Sequence, residues 1–381
     1  MKNKYIRVIT ISVLLLVLAA MVWDVDRDVS ESENRKLQQL PTPSVENVLS
    51  GDYMERFETY LTDQFPFRDA AMVTKTSFIK LLGSRQVGDV IICSDGYLMK
   101  AESDYDKEHY LELLNSVDEF AKSQGEGVST SLMLVPGASA IYEDKLPYGL
   151  KSKCGEILDT ARQTLTSAYF IDLYEPLKNA AVAEASDKAG AAAGEGVFYR
   201  TDHHWTTYGA LIGIKVYEEC FDTAVSEESY KMLPVTGSFQ GTLASSCGVY
   251  SEYDEISIGV PIKEYEYVVS YVNEMRKSTS LFEAEALDKK DKYLVFQGGN
   301  YARVDVNIVN DTGRNLVIIK DSYANCMLSM LMPFYDSIIV IDPRYFYGDI
   351  EQIIKSKEAT EVLFVYSVDS FVKDTSLEDI I

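Results

Sequence analysis

The hydrophobic pattern divides the chain into an apolar N-terminal run, a polar stretch and a long globular region. Val8 to Trp23 is uncharged and apolar; Lys2, Lys4 and Arg7 precede it, and Asp24, Asp26 and Asp28 follow. Basic residues before such a run and acidic ones after it predict a single-pass anchor, with the N-terminus inside and everything beyond it outside the cytoplasm. With Tyr5 and Ile6 the run reaches the lower limit of a spanning helix. Ala19-Ala20-Met21 is a poor small-x-small cleavage site, so residues 1–23 read as a retained membrane anchor rather than a cleaved signal segment, which would leave a secreted chain. Residues 24–50, with Pro41 and Pro43 and no sustained periodicity, read as a stalk or linker.

From Gly51 to the end the pattern is globular. Asp52 to Leu61 carries Met54, Phe57 and Leu61 on one helical face and stops at Phe65-Pro66-Phe67-Arg68. Six apolar, β-branched runs then read as strands: Ser131–Val135, Tyr169–Leu173, Tyr293–Phe296, Leu316–Lys320, Ser337–Ile341 and Glu361–Tyr366. Helical patterns fall over about 107–122, 152–167, 206–220, 323–332 and 348–357. Continuous apolar strands alternating with helices predict an α/β fold with a mostly parallel sheet covered on both faces, and chemistry at the carboxyl ends of its strands. The Ala- and Gly-rich stretch 179–196 reads as a mobile insertion or a loosely packed helix, and 222–275 shows only turns and short strand patterns.

Charge narrows the function. With 36 basic and 59 acidic residues the net charge is −23, a field that repels phosphate backbones and argues against nucleic-acid binding. Five scattered cysteines form neither a disulfide framework nor a CxxC zinc pattern; one pair at most would be structural.

Two of the three histidines are adjacent, in Thr201-Asp202-His203-His204-Trp205-Thr206, before a helix that Thr206 or Thr207 can cap. In an extended entry loop Asp202 and His204 point to the same side, so the carboxylate can fix the imidazole tautomer. The same string also suits a helix cap with structural histidines, or a metal site. His109 lies in a charged helical stretch and reads as a surface residue. In Leu316 to Asn325 an apolar strand ends in Lys320-Asp321-Ser322 and a helix follows at once. Ser322 would place its hydroxyl at the strand end and its N–H at a helix N-terminus, where an oxyanion is stabilised. That serine needs a base, which His204 can supply; alone, it reads equally as a helix cap. Gln297-Gly298-Gly299-Asn300 permits close backbone approach and offers an amide donor, although a tight turn looks the same.

The TDHHW and KDSYAN strings, in that order, resemble the DHHW family of bacterial exported proteins, which is similar to the AlgX and AlgJ alginate O-acetyltransferases of the SGNH-hydrolase group. The likeness extends to Ser32-Glu33-Asn34-Arg35, Phe65-Pro66-Phe67-Arg68, Asp95-Gly96-Tyr97-Leu98, Val135-Pro136, Gly298-Gly299-Asn300 and Ile341-Asp342-Pro343-Arg344-Tyr345. The resemblance implies an SGNH-hydrolase-like (flavodoxin-like) three-layer sandwich over 51–381. It implies Ser322 as nucleophile, His204 as base and Asp202 as its partner, with His203 as a spacer. Gly299, Asn300 and Tyr323 are the expected oxyanion or substrate-binding residues. Such chemistry uses no cofactor and no metal. The expected partners are a cell-envelope glycan or other hydroxylated polymer as acceptor and a multi-span membrane acyltransferase that delivers the acyl group. A non-catalytic envelope protein keeping the same fold, or a metal-dependent hydrolase using His203 and His204, are the rival readings.

Overall fold

The computed structural model describes residues 5, 11–12, 26–30, 35–186 and 196–381. The expected anchor falls almost wholly outside them, as do Ser32-Glu33-Asn34 and residues 187–195 of the Ala/Gly-rich stretch; residues 179–186 of that stretch are helical. No helix among the described residues is long and apolar enough to cross a membrane.

The chain forms two compact units: Met1–Val87 with Ala244–Tyr250, and Gly88–Leu243 with Ser251–Ile381. The first is helical. Ser44 and Asn47 close a reciprocal capping box on the helix Val45–Ser50, and Gly51, at φ 91°, turns the chain directly into Asp52–Asp63. That helix ends just before Pro66, and a third, Arg68–Leu81, follows. Thr76 donates its hydroxyl to the Cys247 carbonyl, which fastens the returning segment 244–250 to this last helix.

The second unit holds an eight-stranded sheet. Its strands are β1 (Ser129–Val135), β2 (Tyr169–Asp172), β3 (Tyr267–Tyr271), β4 (Arg276–Ser278), β5 (Arg303–Ile308), β6 (Asn315–Lys320), β7 (Ser337–Ile341) and β8 (Glu361–Ser367). They lie in the order β4-β3-β5-β7-β6-β8-β1-β2. The five from β7 to β2 are parallel, and β5, β3 and β4 extend the sheet antiparallel. The helices that cover it are α1 (Lys107–Gln124), α2 (Cys154–Thr164), α3 (Tyr174–Ser186), α4 (Thr207–Glu219) and α5 (Ile350–Ser356).

The strict alternation of a strand explains why the apolar runs are continuous. Leu316 and Ile318 of β6 join one core with Leu211 and Ile214 of α4; Val317 and Ile319 join the other with Leu113 of α1 and Ile353 of α5. Helices therefore pack on both faces, giving three layers.

Two expectations need correction. Tyr293–Phe296 is not a strand: Lys292–Val295 forms a 3-10 turn, capped by the Asp291 side chain, and Phe296 makes only an isolated bridge to Phe282. A four-residue apolar run does not distinguish a strand from a buried turn, and the local Asp cap decides it. The helix expected over 323–332 is broken into a 3-10 turn (Ser322–Cys326), a single α-turn (Leu328–Leu331) and a further 3-10 turn holding Pro333. The unassigned region contains the antiparallel pair Tyr230–Phe239 and Asp254–Pro261, outside the large sheet.

Candidate active site

At the carboxyl end of β6 the backbone bends at Asp321. Its Oδ1 accepts from the Tyr323 N–H at 2.8 Å, and its Oδ2 accepts from the N–H and the hydroxyl of Ser367, each at 2.9 Å. Ser367 ends the neighbouring β8, so this one carboxylate ties the bend to the sheet. Ser322 opens the 3-10 turn, half-buried, and its own N–H has no acceptor among the described residues.

The histidine loop is shaped by a small hairpin. Phe198 bridges Trp205, Tyr199 N–H donates to the His204 carbonyl at 3.3 Å, and Thr206 N–H donates to the Val197 carbonyl at 2.9 Å. Thr206 then caps α4 by accepting from the Gly209 N–H. The indole N–H of Trp205 donates to the Tyr323 carbonyl at 2.8 Å, joining this loop to the Ser322 turn across 118 positions of sequence.

In this loop the carboxylate Oδ1 of Asp202 lies 2.6 Å from His204 Nδ1, and His204 Nε2 lies 2.8 Å from Ser322 Oγ. Asp202 and His204 are buried, and the His204 ring stacks on Tyr293 with centroids 3.9 Å apart and planes within 9°. The other carboxylate oxygen of Asp202 accepts from the Thr242 N–H at 2.8 Å and the Thr242 hydroxyl at 3.0 Å. Burial disfavours charge on Asp202, yet the adjoining imidazoles and these hydrogen bonds hold its carboxyl well below the usual range.

Thr201, one residue earlier, is itself fixed: its N–H and hydroxyl both donate to Asp254. Asp202, His204 and Ser322 thus form a hydrogen-bonded relay in which a buried carboxylate orients an imidazole beside a serine hydroxyl, an arrangement suited to activating that hydroxyl.

His203 stands beside the relay, not in it. Its Nδ1 meets the Thr242 hydroxyl at 2.8 Å, and burial together with the adjacent His204 pushes its pKa down to about 3. It lines a cavity of about 110 Å³ with Lys100, Ser139, Tyr323 and Asp369.

Asp202, His203 and His204 also offer ligand atoms within 4.8 Å of one another. Those of Asp202 and His204 are already engaged with Thr242, with each other and with Ser322, so a metal there would have to break the relay.

Asn300 follows Gln297, Gly298 and Gly299, at φ 66°, 82° and 137°, a turn that glycine makes accessible. Its side-chain oxygen accepts from the Lys320 ammonium at 2.7 Å. Tyr323 is buried and its hydroxyl donates to the His203 carbonyl; its N–H is spent on Asp321, so it brings side-chain packing rather than a free donor. His109 lies away from this group and hydrogen-bonds the Asp374 carbonyl.

Sequence reasoning did not single out Thr242, Tyr293 or Lys320. Lys320 alone left a signal, a charged residue closing an otherwise apolar strand.

Residues 179–341 match the family model described as DHHW protein. A DHHW family protein from Eubacterium siraeum is similar in structure, with 25% identity and a TM-score of 0.63, covering 76% of this chain and 94% of the other. PatB1 of Bacillus cereus, known with a sulfonyl adduct, is similar in fold at 20% identity and a TM-score of 0.63, covering 76% of this chain and 98% of its own. Among curated proteins none matches. The resemblance carried by the TDHHW and KDSYAN strings is thereby shown: over residues 179–341 the chain is similar to the DHHW family.

Proposed function

We propose that the chain is a serine acyl-transfer enzyme of SGNH type, an O-acetyltransferase or O-acetylesterase that works outside the cytoplasm on a cell-envelope polysaccharide or related hydroxylated polymer. The observation that carries this reading is the unbroken line from Asp202 through His204 to Ser322, with separations of 2.6 and 2.8 Å. Fold likeness to PatB1, a protein that carries a sulfonyl adduct, is in keeping with it, because sulfonyl electrophiles capture activated hydroxyls.

In the first step Ser322 Oγ attacks the carbonyl carbon of an acyl ester while His204 Nε2 takes the hydroxyl proton. The imidazolium so formed is stabilised by the Asp202 carboxylate, which stays ionised. Negative charge builds on the former carbonyl oxygen, where the Ser322 N–H and the Asn300 amide donate. Collapse breaks the ester bond, and His204 returns the proton to the leaving alcohol oxygen. An acceptor hydroxyl, or water, then attacks the acyl-serine as His204 removes its proton; the bond from the acyl carbon to Ser322 Oγ breaks, the acyl group leaves on the acceptor oxygen, and His204 returns the proton to Oγ. The transferase and the esterase differ only in whether water is kept from this second step. A chain held at the membrane by its N-terminal run would receive the acyl group from a multi-span donor and pass it to a glycan hydroxyl.

The test is covalent labelling. Purified protein exposed to p-nitrophenyl acetate, and separately to phenylmethanesulfonyl fluoride, is expected to gain one acetyl or one sulfonyl group on Ser322. Ser322→Ala and His204→Ala should lower turnover of the ester by roughly 10⁴-fold or more. Wild-type protein that takes no label and turns over no ester, with glycan acceptors present, would move the reading to a non-catalytic envelope protein. Activity lost to a chelator and restored by a divalent ion would move it to a metal hydrolase.

A further inference from the structure

Lys320 is the last residue of β6 and continues the row of Leu316 and Ile318, yet it is an ammonium with 1% of its surface exposed. A buried ammonium is costly unless each of its protons is received. Three acceptors surround it: Asn300 Oδ1 at 2.7 Å, Asn325 Oδ1 at 2.8 Å and Asp342 Oδ2 at 3.5 Å. Asp342 is already matched by Arg344, which reaches both of its oxygens, at 2.8 and 2.6 Å. Neutralising Asp342 therefore does not by itself account for Lys320. What the lysine alone does is grip two carboxamides by their oxygens, one residue away from Asp321 and two from Ser322.

For Asn300 this grip settles which end of the amide is which. Its oxygen receives Lys320 and also the Asn325 side-chain N–H at 3.2 Å, while its own Nδ2 has no protein acceptor among the described residues. An asparagine free to flip could as readily present its oxygen, which would repel a developing oxyanion.

We infer that Lys320 is a positioning residue for acyl transfer: by binding the oxygens of Asn300 and Asn325 it fixes the Asn300 carboxamide with its N–H donors turned to the oxyanion formed at Ser322. The inference rests on the serine mechanism above and adds the residue that orders its side-chain oxyanion donor. The full grip needs the charged amine, since a neutral lysine has one donor fewer than the three acceptors present. Burial pushes the Lys320 pKa down to about 8; Asp342 opposes the shift, Arg344 adds to it, and Asp321 opposes it. These groups come from the end of β7 and from the serine turn itself, and Asn300 and Asn325 complete the surroundings.

A double-mutant cycle on the whole chain, with p-nitrophenyl acetate as probe and labelling of Ser322 followed in parallel, tests this. Asn300→Ala and Lys320→Met are each expected to lower kcat by on the order of 10–100-fold with little change in KM. The double variant should be no slower than the worse single one, because both remove the same donor. Unchanged kcat in Lys320→Met, or losses that multiply, would overturn the inference.

Should Lys320→Met not fold, the wild-type pH profile still decides. kcat should fall as the pH rises through about 8, and this fall should be absent from Asn300→Ala. Its persistence there would overturn the inference as well. Wild-type protein that never acylates Ser322 sinks the enzyme reading and this inference with it, whereas an acylated wild type with indifferent variants sinks the inference alone.

Discussion

At the scale of single residues, the relay depends on how closely backbone is allowed to approach Asp202. Gly241 lies against that carboxylate, and a Cβ there would fall on the Asp202 side chain. The next residue, Thr242, supplies both hydrogen bonds to Oδ2. Gly241→Ala is therefore expected to push Asp202 off His204, costing about 1–3 kcal/mol of stability and lowering ester turnover more than thermal unfolding alone would predict. Equal losses in stability and turnover across Gly241→Ala and a distant core variant would argue against the link. Asp202→Asn should keep the fold but reverse the donor facing His204 Nδ1, with kcat falling about 10³–10⁴-fold; steady-state rates on p-nitrophenyl acetate check it. Asp202, His204 and Ser322 were legible in the sequence because histidine is scarce in this chain, three in all, and Asp202 and Ser322 stand at informative places, two positions from His204 in one loop and at the end of an apolar strand. Thr242 and Tyr293 were not, because their value comes from contacts with residues far along the chain, and nothing local marks a threonine as the second partner of a carboxylate; Lys320 showed only as a charge closing an apolar strand, without its partners.

At the scale of elements, α4 holds the histidine loop in place through two glycines one turn apart on the face toward Trp205. A Cβ on Gly209 would sit 2.5 Å from the Val197 carbonyl oxygen, which is backbone, and one on Gly213 would meet the Trp205 ring at 3.0 Å. The buried indole packs where those side chains are missing, and its N–H then reaches the Ser322 turn. Gly209→Ala should cost at least as much stability as Gly213→Ala, each about 1–3 kcal/mol. A ring at the edge of its contact can shift where a backbone carbonyl in a hairpin cannot. Chemical denaturation of the two variants measures the order, and a larger loss for Gly213→Ala would refute this account of the packing. The inner parallel strands β1, β6, β7 and β8 were readable from the chain because both faces of each are buried, which leaves continuous apolar runs. The turn at Lys292–Val295 was not, because a four-residue apolar run looks the same in a strand and in a buried turn. The antiparallel strands β3 and β4 were also hidden: each is short, and β4, at the sheet edge, is Arg276-Lys277-Ser278, with no apolar residue to mark it.

At the scale of the whole second unit, α4 joins the site at one end of the sheet to a buried charged cluster at the other. Near its C-terminus, Tyr217 and Glu218 meet Arg314 before β6, Tyr335 before β7 and Glu361 at the start of β8. Arg314 donates to both carboxylates: to Glu361 at 2.7 and 2.9 Å, and to Glu218 at 2.7 Å. The Tyr335 oxygen accepts from Arg314 and lies 2.8 Å from Glu218 and 2.7 Å from Glu361. A phenol has one proton, so it can donate to only one of these carboxylates. The other completes the pattern when it is a carboxylic acid donating back to the Tyr335 oxygen. One added proton also brings two buried carboxylates and one guanidinium to neutrality. In keeping with this, burial raises the Glu218 pKa against the pull of Arg314. A carboxyl whose folded pKa lies above its unfolded value contributes stability that is full below the unfolded pKa and is lost as the pH rises through the folded one. The wild type should therefore lose stability relative to Glu218→Gln as the pH climbs from about 4.5 toward neutrality, since the amide holds its place without ionising. Denaturation of both proteins across that range gives the difference directly. A gap that does not change with pH would mean that the cluster folds with both carboxylates charged, and that Arg314 alone is enough to hold the amino ends of β6 and β8 together.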